Sequence, residues 1–227
     1  LSNVDFFVLD EADRMLDMGF VHDVKRVMAM LPAKRQNLLF SATMPSAITK
    51  LADSFLHNPI RVEVTPQATT VEKIEQSVMF VDRTDKKRLL TWLIEEDEVT
   101  RGIVFTRTKH GANRLVEQLE KDKINAAAIH GNKSQSARNR ALEGFRRGDV
   151  KLLVATDLAS RGLDVDGVSH VFNYDLPNEP ESYVHRIGRT ARAGKSGIAI
   201  SLCDQTEGDY LRDIEKLIGM KVPVDED

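Results

Sequence analysis

Short runs rich in Val, Ile and Phe alternate along this chain with longer stretches whose apolar residues recur at helical spacing. Strands separated by helices lie parallel in one sheet, with the helices covering its faces, so the alternation predicts βαβ units around a parallel sheet. Strands are expected near residues 4–10, 37–41 and 60–64, with helices near 21–30 and 45–55. The alternation then pauses at TPQATTVEK, residues 65–73, which has no apolar periodicity and reads as a linker. It resumes with strands expected near 75–81, 102–106, 126–130, 152–156, 168–173 and 197–202, and helices near 86–95, 108–121, 135–147, 181–187 and 206–218. Residues 74–227 therefore read as a whole α/β domain. Residues 1–64 are short for a doubly wound unit and read as the tail of one, with core surface around Phe6, Leu39 and Leu51 expected to lie open and favour self-association.

Composition excludes several classes. At 227 residues, 41% hydrophobic and 30% charged, the chain is an ordinary globular sequence, and no apolar run approaches the roughly 20 residues of a membrane helix. The start, LSNVDFF, lacks a secretion signal, and the single cysteine, Cys203, allows no internal disulfide; a reducing, cytoplasmic setting is expected. A net charge of −3 gives no global attraction for nucleic acid, so any such binding must come from local clusters of Lys and Arg.

Candidate chemistry gathers at strand ends, where parallel sheets bind ligands. FFVLDEAD runs an apolar strand into Asp10, Glu11 and Asp13. An Asp there suits magnesium on nucleotide phosphates and a Glu suits the attacking water; solvated acids capping a helix are the plain alternative. NLLFSAT delivers Ser41 and Thr43 to the same edge, either as a hydrogen-bond relay or as caps. IVFTRTKH leaves Thr106, Arg107, Thr108 and Lys109 past a strand, where hydroxyls, amides and cations suit phosphate; IHGNKSQSAR adds Gly131 and Arg138. VATDLASRGLDV adds Thr156, Asp157, Arg161 and Asp164. HRIGRTARA, read as a helix, sets His185, Arg189 and Arg192 on one face with Arg186 close beside them: an anion-binding face or a solvated one. No HExxH, paired Cys/His spacing, G-x-S-x-G or GxxxxGK[S/T] occurs, so zinc sites, a serine elbow and a self-sufficient ATP phosphate loop are unsupported.

Taken in order, DEAD, SAT, VFTRTK, QSAR, TDLASRGLD and HRIGRTAR resemble the motifs of the DEAD-box RNA helicases. The phrases RTKHGANRL, AIHGNKSQ and YVHRIGRTAR look closest to the bacterial RhlE branch. The resemblance implies a RecA-like parallel sheet flanked by helices: two such domains in tandem, with ATP and RNA bound across their cleft, this chain holding the end of the first and all of the second. It implies an ATP-dependent RNA helicase or RNA-remodelling ATPase, with Mg2+, low sequence preference and no membrane partner; the chain alone is expected to be inactive. By resemblance, Asp10 partners magnesium through water, Glu11 orients the attacking water, and Asp13, Ser41 and Thr43 couple the cleft to RNA. Asp164 reads the ribose hydroxyl, Arg189 and Arg192 are arginine fingers on the γ-phosphate, and His185 and Arg161 tie the domains together. Thr108, Gly131, Arg138 and Thr156 contact the RNA backbone. Ala191 stands where the family more often has Gly, a difference expected to have little effect. A non-catalytic RNA-binding or scaffold module stays open as the alternative, to be separated by an upstream phosphate loop; the DEAD tetrad argues against a DNA translocase.

Overall fold

The computed structural model describes residues 1–17, 19–41, 44, 46–63, 74–97, 99–160, 165–191 and 197–225. The chain divides into two compact units, Leu1–Pro66 and Gln67–Asp227. In the first, β1 (Phe6–Leu9) pairs in parallel with β2 (Gln36–Leu39), in the register Phe6↔Gln36 to Leu9↔Leu39. Around the pair lie α1 (Ala12–Asp17), α2 (Val21–Ala29) and α3 (Ser46–Asp53). Leu9, Ala12, Val24, Ile48, Leu51 and Phe55 form its core. Of the surface expected to be open, Phe6 is 66% exposed, as side chains alternate across a strand, whereas Leu51 is buried on the inner face of α3.

The strand expected at 60–64 is absent over its described part: residues 60–63 run as irregular chain, with Ile60 91% exposed. A Val/Ile alternation becomes a parallel strand only where a neighbour supplies hydrogen bonds and cover, and the described residues supply neither. Val64 and the expected linker at 65–73 lie outside the described residues.

Among the described residues the second unit carries six strands, β3 (Ile74–Phe80), β4 (Gly102–Phe105), β5 (Ala126–Ile129), β6 (Leu152–Ala155), β7 (His170–Asn173) and β8 (Gly197–Cys203). They form one parallel sheet in the order β3-β8-β7-β4-β6-β5. Its helices are α4 (Lys86–Glu96), α5 (Lys109–Lys121), α6 (Gln135–Arg147), α7 (Asp157–Ser160), α8 (Pro180–Ile187) and α9 (Gly208–Ile218). Strand alternation sorts the core into two layers. Ile103, Phe105, Leu153 and Val171 face Phe145, Tyr183, Ile187 and Leu211 of α6, α8 and α9. Val104, Leu152, Val154 and Phe172 face Leu90, Leu93, Ala112 and Leu115 of α4 and α5. Both faces are thus covered, as a parallel sheet requires. The chain leaves β4 toward one side of the sheet and β7 toward the other, so the carboxyl ends of these neighbours form the topological switch point. No helix among the described residues is long and apolar enough to cross a membrane.

Candidate functional site

In the first unit the acidic residues sit on the connection from β1 to α1. The helix starts at Ala12, so Asp10 and Glu11 alone make the turn, and Glu11 takes a left-handed φ of 50°. That conformation strains any residue with a Cβ, and such strain gathers at functional sites. Asp10 is exposed, and its Oδ1 accepts from the Glu11 N–H at 2.8 Å. The end of β2 locks the turn: the Ala12 N–H donates to the Phe40 carbonyl at 3.1 Å, and the Asp13 N–H to Ser41 Oγ at 3.1 Å. Ser41 therefore caps α1, the helix after the neighbouring strand β1. That bond brings Asp13 and Ser41 together through the Asp13 backbone. Thr43 lies outside the described residues.

In the second unit, Thr108, Gly131 and Thr156 lie just beyond the carboxyl ends of the adjacent strands β4, β5 and β6, and Arg138 stands in the first turn of α6. Thr108 Oγ1 caps α5 by accepting from the Gly111 N–H at 3.0 Å, and Ser134 caps α6 through the Ala137 N–H. Arg138 Nη2 donates to the Ala159 carbonyl at 3.3 Å, bracing α6 against α7, which begins just after Thr156. A Cβ on Gly131 would meet only Leu158, at an ordinary 3.9 Å, so internal packing does not demand glycine there. His130, buried and bonded through Nε2 to Asn113 Oδ1 at 2.9 Å, is held below its ordinary pKa by burial and then by Lys133, Lys109 and His110. This corner is locally positive on a chain of net negative charge, as anion binding requires. Arg107, in contrast, turns to protein partners: Nη2 donates to the Leu176 carbonyl at 3.2 Å and to Glu207 Oε1 at 2.6 Å.

The arginine-rich segment departs most from its helical reading. Helix α8 opens with Pro180 in its first turn and ends at Ile187, capped by Gly188, so Arg189 lies beyond the helix and shares no helical face with His185. His185 and Arg189 are half-buried; Arg192, Arg161 and Asp164 lie outside the described residues. Arg186 is neither finger nor solvated face. It is 1% exposed and fills the switch point: Nε and Nη2 fork onto Asp157 Oδ1 and Oδ2 at 2.6 and 2.8 Å. Its Nη1 donates to Asn173 Oδ1 at 3.2 Å and to the Asp175 carbonyl at 2.7 Å, with the guanidinium 5.0 Å from the Phe105 ring centre. The sequence carries the signal for this burial, since Tyr183, Arg186 and Ile187 stand at i, i+3 and i+4 and are buried together.

Past α8, the Thr190 hydroxyl donates to the Val168 and Ser169 carbonyls at 2.6 and 3.1 Å. Gly197 opens β8 so close by that a Cβ would stand 2.3 Å from Thr190 Oγ1 and 2.6 Å from the Ala191 nitrogen. Ala191 itself has φ 55°, so its difference from Gly is not neutral. Replacing Ala191 by Gly removes left-handed strain and stabilises the second unit by about 1 kcal/mol, raising its melting temperature by roughly 2–4 °C in calorimetry.

Comparison with known proteins accounts for both units. Residues 1–51 match a family described as DEAD/DEAH box helicase, and residues 85–194 match the helicase conserved C-terminal domain. The chain is 46% identical to the DEAD-box ATP-dependent RNA helicase CshA of Bacillus licheniformis, over 98% of this chain and 47% of that protein. It is 44% identical to the ATP-dependent RNA helicase RhlB of Shewanella denitrificans, over 99% of this chain and 52% of that one. It thus spans about half the length of these relatives, whose names are not those of the RhlE branch. Among solved structures it is similar to S. cerevisiae Dbp5 bound to RNA and ADP BeF3, with a TM-score of 0.87 and 36% identity, over 98% of this chain and 60% of that chain.

Proposed function

Because this chain belongs to the DEAD-box helicase family, with its DEAD and helicase C-terminal domains, we propose that it is part of an ATP-dependent RNA helicase, an enzyme that hydrolyses ATP to remodel RNA in the cytoplasm. The observation that carries the reading is the acidic turn: Glu11 is held in a strained left-handed conformation at the carboxyl end of β1, beside exposed Asp10, by bonds from α1 to the end of β2. Residues 1–64 serve as the C-terminal part of the first RecA-like domain, 65–73 as linker and 74–227 as the second domain.

Within this reading Asp10 holds Mg2+ through water. The donor set fits: Asp10 is exposed, and the local bond to its Oδ1 fixes the carboxylate at the end of β1. When bound, the ion offsets the charge of the phosphates. Glu11 orients the attacking water and accepts its proton, and the Asp13–Ser41 bond, with Thr43, transmits RNA binding to that turn. Asp164 reads the ribose, Arg189 and Arg192 meet the γ-phosphate charge, and His185 and Arg161 answer to the first domain. Thr108, Gly131, Arg138 and Thr156 take the RNA backbone, the positive corner around His130 supplying attraction without base readout, so sequence preference is low. Affinity with the RhlE branch rests on RTKHGANRL, AIHGNKSQ and YVHRIGRTAR. The chain by itself has no GxxxxGK[S/T] to cradle phosphates and is inactive alone.

The test is Glu11→Gln in the full-length protein. RNA-stimulated ATP hydrolysis falls on the order of 10²- to 10⁴-fold, the usual worth of a positioned base, while RNA binding in a filter assay persists. A parent protein without RNA-stimulated hydrolysis makes the chain a scaffold; a variant that keeps the parent's hydrolysis removes Glu11 from the reaction.

A further inference from the structure

Four consecutive strands of the larger sheet, β3, β8, β7 and β4, send their carboxyl-end connections to one buried side chain, Glu207, which is 1% exposed. Its Oε1 accepts from Arg107 Nη2 at 2.6 Å and from the Leu176 N–H at 3.0 Å. Its Oε2 accepts from Lys86 Nζ and from the Asp204 N–H at 3.3 Å. Lys86, also buried, donates to the Tyr174 carbonyl at 2.9 Å and pairs with Asp204 at 3.4 Å. All four acceptor positions of the carboxylate are thus engaged. A buried ionic hub is weak as a source of stability, because apolar residues of similar volume do as well; what it adds is direction, since every bond demands one loop placement.

Two of those bonds lead to residues with a place in the proposed reaction. Arg107 precedes Thr108, its own N–H donates to Asp175 Oδ2 at 2.8 Å, and its guanidinium lies 5.1 Å from the Tyr210 ring centre. The Asp175 carbonyl in turn accepts from Arg186 Nη1, on the helix that leads into Arg189. We infer that Glu207 is a positioning residue: through Arg107 and Leu176 it fixes the 106–108 turn against the 174–176 turn, and so links the RNA-contacting Thr108 to the segment carrying Arg189. This rests on the function proposed above.

Arg107→Met tests it in the full-length protein, because it cuts the outer arm of the hub and leaves Glu207 paired with buried Lys86. The RNA concentration for half-maximal ATPase stimulation rises about tenfold, within the usual range of coupling between sites, while RNA-independent hydrolysis stays unchanged. Arg107→Lys recovers part of the loss, since an ammonium can pair with Glu207 but lacks the planar guanidinium that lies on the Tyr210 ring. Amide exchange is the second readout: protection falls together in residues 106–112 and 174–190. A half-saturation within about twofold of the parent, or a rise in exchange confined to 106–112, overturns the inference. Should the parent show no RNA stimulation at all, the proposed function fails, and the exchange pattern alone decides the role of Glu207.

Discussion

Replacing Arg189 by alanine in the full-length protein lowers ATP hydrolysis by a factor on the order of 10³ to 10⁵, with little change in melting temperature. The size reflects where the charge sits: a guanidinium at the γ-phosphate neutralises charge that builds in the transition state, where the site has shed water and no solvent substitutes for it. The segment holding Arg189 has anchors in its neighbours. Gly188 ends α8, Thr190 is bonded to two carbonyls, and Gly197 packs against the turn, so truncating Arg189 leaves that frame intact. Arg189→Lys restores little, because an ammonium lacks the planar fork. Single-turnover hydrolysis at saturating ATP and RNA, read beside thermal melting, is the measurement. Hydrolysis within about threefold of the parent removes Arg189 from the reaction and leaves Arg192 as the finger.

Arg186, three residues earlier, has the opposite signature. Arg186→Ala destabilises the second unit by about 3 kcal/mol, the lower end of the cost of breaking a buried ion pair. The lower end applies because the Asp157 side chain is 30% exposed and water can reach it, whereas Asn173 Oδ1 and the Asp175 carbonyl lose a donor in the interior. For a unit of this size the melting temperature falls by roughly 6–12 °C. A double-mutant cycle with Asp157→Asn gives a coupling of about 1–3 kcal/mol, because the fork of two short bonds is shared. At saturating RNA, hydrolysis falls as the folded fraction falls, which separates this arginine from Arg189; only the RNA concentration for half-maximal stimulation rises besides, because the bond to the Asp175 carbonyl is lost. Melting unchanged in Arg186→Ala shows that the guanidinium does not hold the β4/β7 junction.

Much of the fold was legible in order because a parallel sheet covered on both faces writes a strong pattern: the runs around Ile103, Leu153 and Val171 are apolar throughout, and their helices carry matching stripes. The pattern misled at Ile60 and Val62, whose alternation is local while strand formation depends on a partner. Helices α1 and α7 carry no periodic signal because each is a short turn stabilised from a distance, α1 by Phe40 and Ser41. The placement of Asp10, Glu11 and Thr108 just past strand ends was legible because it needs only the order of elements.

The sequence by itself determined which chemistry is present and on which strand ends it stands, since strand periodicity and motif spacing are one-dimensional facts. Tertiary structure alone decided which charge goes where. Three arginines in HRIGRTARA are alike by composition, yet α8 ends at Ile187 and packs its Tyr183–Ile187 face on the sheet, burying Arg186 on Asp157 and leaving Arg189 beyond the helix. The side-chain partners of Arg186 and Glu207 stand 13 to 121 residues away in sequence, and no local rule specifies so distant a counterpart. Desolvation makes those pairings compulsory, because a charge enclosed by folding must meet its counterpart where the chain happens to bring it.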